Sequence, residues 1–71
     1  MVKILKNIGL YYRIGLYSRA EALYNIRDLL EEQRRASYAE EDVERILETA
    51  ICGTEHALVW AWNVAMEGGK A

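Results

Sequence analysis

Between Val43 and Ala65 one apolar stripe runs through the chain at helical spacing. Val43, Ile46, Leu47, Ala50, Ile51, Ala57, Leu58, Ala61, Val64 and Ala65 recur at steps of three and four, and Val59, Trp60, Trp62 and Met66 add a second apolar face toward the end. A helix that is apolar on more than one side needs more than one neighbour. In a chain of 71 residues the second neighbour is expected to be another copy of the chain or a foreign partner.

Size points the same way. A domain this small buries only about 60% of the surface its unfolded chain exposes, so it needs a disulfide, a structural metal or association to gain stability. The single cysteine, Cys52, and single histidine, His56, supply neither of the first two within one subunit. Their four-residue spacing suits one helical face, and a twofold dimer with this pair near its axis could bring two thiols and two imidazoles around zinc. The alternative is a buried thiol and a half-buried imidazole in an interface, and no metal or cofactor is expected. Homodimers or larger oligomers follow as the expectation.

A composition of 52% hydrophobic and 28% charged residues, without proline, describes a folded, helix-rich domain rather than a disordered one. The longest apolar run, Ala57 to Trp62, is far short of the roughly 18 residues of a membrane span. Asn7 and Arg13 interrupt what would have to be the apolar region of a secretory signal. With one lone cysteine, this profile implies a cytoplasmic protein.

Helix starts are written at two places. Ser18-Arg19-Ala20-Glu21 and Ser37-Tyr38-Ala39-Glu40 both match the capping box, in which a serine hydroxyl and a glutamate carboxylate satisfy orphan backbone N–H groups reciprocally. Ala22, Leu23, Ile26, Leu29 and Leu30 then share one face of the first helix. Arg34 and Arg35 close that helix, and Glu40, Glu41 and Asp42 open the next, each suited to the local end of the helix dipole. The short connection at Ala36-Ser37 implies an antiparallel hairpin of helices over about 18–36 and 38–66.

Gly53 is the one break signal in the second helix. The apolar phase set by Val43, Ala50, Ala57 and Val64 continues unshifted across it, which favours one long helix with Gly53 admitting another backbone closely. The alternative is two helices with Thr54 as the second N-cap. Residues 1–17 read as a helical stripe (Ile4, Leu5, Ile8, Tyr12, Leu16) or, with period two, as a strand. A lone strand finds no partner within the chain, so a helical arm is favoured. The expected fold is all-α: one small domain over 1–71, a helical hairpin with an N-terminal arm.

Gly15 to Glu21, followed by Ile26 to Glu32, resembles the opening of the second helix in ribbon-helix-helix DNA-binding proteins. That family requires a strand and a complete helix before this point, which 17 residues hardly hold, so membership is not assigned.

Charge is unevenly placed. Residues 1–20 carry Lys3, Lys6, Arg13 and Arg19 and no acid, whereas residues 21–48 carry nine acids against four arginines. The basic arm either complements the acidic helices or forms an anion site. Tyr11, Tyr12 and Tyr17, interleaved with Arg13 and Arg19, have the composition to stack a base and pair its phosphate. A net charge of −2 argues against duplex DNA. An acid-free arm on a membrane surface is a weaker reading.

Catalysis has little support. Glu44 and Glu48 share a helix face, but no phosphate loop, nucleophile elbow or paired CxxC is present. Trp60 and Trp62 point about 200° apart on a helix, so one should pack inward and the other anchor an interface. The expected function is a non-enzymatic, oligomeric protein that binds and modulates or inhibits a macromolecular partner, a profile common among phage and mobile-element accessory proteins. Its contact residues would be Trp60, Trp62, Leu58, Gly53, Ala57 and Ala61. The alternative is sequestration of a nucleotide-like anion through Tyr11, Tyr12, Arg13, Tyr17 and Arg19.

Overall fold

A computed structural model describes residues 1–34 and 38–67. Four helices are present among them: α1 (Val2–Arg13), α2 (Arg19–Arg34), α3 (Glu40–Cys52) and α4 (Glu55–Glu67), with no strand among the described residues. The chain is all-α, and its N-terminal segment is a helix that turns Leu5, Ile8 and Gly9 into the core.

The turn after α1 is set by local chemistry. Leu16 N–H donates to the Tyr11 carbonyl at 2.8 Å and Gly15 N–H to the Tyr12 carbonyl at 3.2 Å, while Gly15 adopts a φ of 84°. These are the two bonds and the left-handed residue of a Schellman stop. The Ser18 capping box forms as the sequence implies: Glu21 N–H donates to Ser18 Oγ at 3.1 Å, and Ser18 N–H to Glu21 Oε1 at 2.8 Å. Nothing lies within 4 Å of a Cβ built on Gly15. Gly15→Ala should therefore cost only the left-handed backbone penalty, about 1 kcal/mol, measured as a fall in the urea midpoint.

The second capping box involves Ser37, which lies outside the described residues. α3 itself begins at Glu40 with Ala39 as its N-cap. Glu40 reaches across to α2, where Arg27 Nε and Nη2 donate to its two carboxylate oxygens at 2.9 and 2.8 Å. That fork holds the Glu40 carboxyl below the ordinary glutamate value. Its stabilisation is present above the unfolded-state pKa and is lost as pH falls through the lower, folded-state one. In an NMR pH titration the Glu40 carboxyl should move back up toward the ordinary value in Arg27→Gln, and an unmoved titration would show the fork to be absent in solution.

The long helix expected over 38–66 is not formed. α3 stops at Cys52, and Thr54 opens α4 by accepting from Ala57 N–H at 3.0 Å on its hydroxyl. Thr54 is thus the second N-cap. The Arg45 guanidinium lies 6.0 Å from the Trp60 ring centroid, whereas a straight helix would set these residues about 22 Å apart along its axis. The chain bends back at Gly53-Thr54, so the stripe of α4 packs onto the same core as that of α3. Gly53 does meet a backbone closely, but it is the chain's own: a Cβ there would lie 2.9 Å from Thr49 Cα and O.

The close approach between helices occurs at Gly9. A Cβ built on it would stand 2.6 Å from the Ala50 carbonyl oxygen and 2.8 Å from the carbonyl carbon. α1 therefore seats directly on α3. The core around this contact contains Leu5, Ile26, Leu30, Val43, Ile46, Leu47 and Leu58, all under 2% exposed. The radius of gyration is 11.1 Å, which is what a compact chain of this length has, about 11 Å. One copy therefore encloses a core of its own.

Candidate functional site

The residues expected to contact a partner divide between core and surface. Leu58 and Ala61, together with Ala65, form the buried face of α4. The bend at Gly53 turned this face inward, so Leu58 and Ala61 are core residues of the chain itself. Ala57 is half-buried, and Gly53 is exposed at the bend. Trp62 packs on the core from its edge. Trp60 is 58% exposed, with Val59 also at the surface beside it. The tryptophans part company as their angular separation requires.

Trp60 is not fully free. The Arg45 guanidinium stands over its ring at 6.0 Å, and Arg45 Nη1 also donates to Asp42 Oδ1 at 2.9 Å. Asp42 is almost fully buried, so this bond satisfies a carboxylate that water reaches poorly. Asp42, Arg45 and Trp60 thus form one chain of contacts from the core edge to the surface of α4.

Cys52 and His56 do not share a helical face. Cys52 ends α3 with its thiol 3.4 Å from the Glu48 carbonyl, and His56 stands in the first turn of α4, both exposed. Among the described residues no group of three or more His, Cys, Asp or Glu is arranged to hold a metal.

The five residues of the expected anion site are not brought together. Tyr11 and Tyr17 form an edge-to-face pair with centroids 5.5 Å apart and line a groove between α1 and α2. Tyr12 and Arg19 line a different cavity, of about 350 Å³, against α3. Arg13 is exposed and lines neither. The cause is angular: neighbouring residues on a helix point about 100° apart, so Tyr11 and Tyr12 cannot face one ligand.

The α3 cavity is also wrong in charge for an anion. Arg19 and Arg45 meet Glu41, Glu44 and Glu48 there, and Arg19 is paired with Glu44 at 3.8 Å. Lys6 is similarly paired with Glu55 at 3.5 Å. Two of the four cations of the basic arm thus answer acids of α3 and α4, the first of the two arrangements that the uneven charge allows. Glu44 and Glu48 both line this cavity, Glu44 as the partner of Arg19.

Two surfaces escaped the sequence reading. The first is the α1–α2 groove, where Ile4, Ile8, Tyr11, Tyr17 and Leu29 meet the polar side chains of Asn7, Asn25 and Asp28. Its signal was the i, i+3, i+7 spacing of Ile4, Asn7 and Tyr11, a ridge beside the buried stripe. The second is the outer side of the α1 end, where Ile14 and Leu16 are each 64% exposed near Leu10 in sequence. No helix among the described residues is long and apolar enough to cross a membrane. No protein-family model, no curated protein and no solved structure matches the chain.

Proposed function

We propose that this chain is a non-enzymatic, cytoplasmic binding module, a helical bundle with α2 and α3 paired antiparallel, that self-associates and modulates a macromolecular partner through α4. The observation that carries the reading is Trp60. A tryptophan that is 58% exposed, on a helix whose other face already completes a core, has no role in that core equal to its size. Tryptophan is among the residues that most often dominate binding energy when a partner buries it. Val59 extends the apolar surface, and Arg45 holds the indole in place.

Native mass spectrometry of the wild-type chain and of Trp60→Ala tests this directly. The wild type should form an oligomer at micromolar concentration, and the variant should need at least about tenfold more protein to do so while keeping its helical circular dichroism. A wild type that stays monomeric would refute self-association. Equal assembly by the variant would remove Trp60 from the contact.

A further inference from the structure

We infer that the α1–α2 groove is a receptor for an arginine side chain presented by a protein partner. The inference rests on the reading of the chain as a protein-binding module, but it concerns a different surface from Trp60. The groove holds about 240 Å³. Its apolar wall comes from Ile4 and Ile8 of α1 and Leu29 of α2. Tyr11 and Tyr17 also line it, with ring planes at 85° to one another. The polar lining is one carboxylate, Asp28, and the two neutral amides Asn7 and Asn25, and no basic residue contributes to it.

Each part matches one part of an arginine. The aliphatic stem suits the Ile4, Ile8 and Leu29 wall, because long cationic side chains bury their methylenes while keeping the head polar. The guanidinium is planar and weakly hydrated, so it stacks on an aromatic face better than an ammonium does. Tyr11 and Tyr17 supply the aromatic lining for that contact. Asp28 supplies the countercharge: it forms no ion pair or hydrogen bond among the described residues, unlike Asp42 or Glu40.

The surroundings reinforce the sign. Glu21, Asp28 and Glu32 lie along one ridge of α2 at helical spacing, and Glu21 already accepts the Ser18 N–H. On α1 the groove-side ridge is Ile4, Asn7 and Tyr11, all neutral. Lys6 and Arg13 project to the far side of α1 by roughly 140° or more, and Lys6 is engaged with Glu55. Lys3 flanks the ridge without lining the groove. An anion would meet Asp28 unscreened, and an uncharged apolar group would bury that carboxylate without a partner.

The size of the groove decides between a free ligand and a side chain. Sites that enclose small molecules run from about 300 to 1,000 Å³ and bury most of the ligand. This groove is smaller and open along one side. It fits one side chain whose backbone remains outside, on a partner.

The test uses the full chain labelled for NMR, with N-acetyl-arginine methylamide as the probe and the citrulline analogue as its neutral isostere. Arginine should bind in the millimolar range, with shifts concentrated at Tyr11, Tyr17, Asp28 and Leu29. The citrulline probe should bind at least about fivefold more weakly, as expected when one charge-assisted contact is lost. Asp28→Asn should weaken the arginine probe by a similar factor and leave the citrulline probe unchanged. Equal binding of the two probes would reduce the groove to an apolar slot and overturn the inference. Shifts centred on Glu41, Glu44 and Glu48 would overturn it as non-specific attraction, and so would the absence of any shift. Trp60→Ala should bind the arginine probe as the wild type does. Loss of α4-mediated assembly and loss of guanidinium binding are thus read separately.

Discussion

Replacing Gly9 with alanine is expected to destabilise the protein by about 2 kcal/mol, the balance of roughly 3 for overpacking against 1 gained in helix propensity. The added methyl would sit 2.6 Å from the carbonyl oxygen of Ala50, and the obstacle is helix backbone with no rotamer to move. α1 would have to lift off α3. Leu5 and Ile8, both on the buried face of α1, would then lose contact with the core. Propensity alone gives the opposite sign, since alanine in a helix interior is about 1 kcal/mol better than glycine. Urea denaturation decides between them. A midpoint that rises in Gly9→Ala would show that α1 and α3 do not pack this closely. A chain of this size has only about 4–10 kcal/mol of stability to lose, so the effect is large.

Leu58→Ala is expected to cost about 3 kcal/mol, because a fully buried leucine loses both its transfer energy and the contacts around the cavity it leaves. Leu58 is 1% exposed within a single chain. The loss should therefore be the same at low and high protein concentration. If Leu58 lay between subunits, its effect would shrink on dilution as the assembly dissociated. Trp60→Ala provides the contrast. With its indole largely in solvent, the change should alter monomer stability by no more than about 0.5 kcal/mol. Unfolding curves of both variants over a hundredfold range of concentration would separate a core residue from a surface one.

The surface role of Trp60 and the core role of Leu58 come from two residues of one helix, two positions apart. The sequence places both on apolar faces and cannot rank them. Hydrophobicity reports that a side chain should leave water, but not whether its own chain or another provides the cover. The bend at Gly53-Thr54 settles it, by carrying the Leu58, Ala61 and Ala65 face onto the core and leaving Trp60 outside. The unbroken phase across Gly53 misled for a physical reason. A seven-residue apolar spacing is compatible with one straight helix and equally with two helices that each bury the same stripe on one core. The Thr54 hydroxyl signal was present, but it competed with a pattern that carried no information about direction.

The proposed arginine groove was less legible still. Tyr11, Tyr17 and Asp28 come from three places in the chain, and only the packing of α2 beside α1 puts them around one space. The tyrosines invited an anion reading because cations lie next to them in sequence. In three dimensions Lys6 and Arg19 face other helices and are paired there.

Features governed by bonds between near neighbours were settled by the sequence itself. These are the helical class of the segments after residue 17, the Ser18-Glu21 box that starts α2, and the amphipathic stripes of α2 and α3. All depend on backbone geometry within one or two turns, which residue type and spacing control directly. The tertiary structure alone decided which glycine admits another helix, where α4 turns, which apolar residues remain in solvent and which charges are left unpaired. Each is a relation between segments distant in sequence, arising from the competition of several apolar faces for one small core.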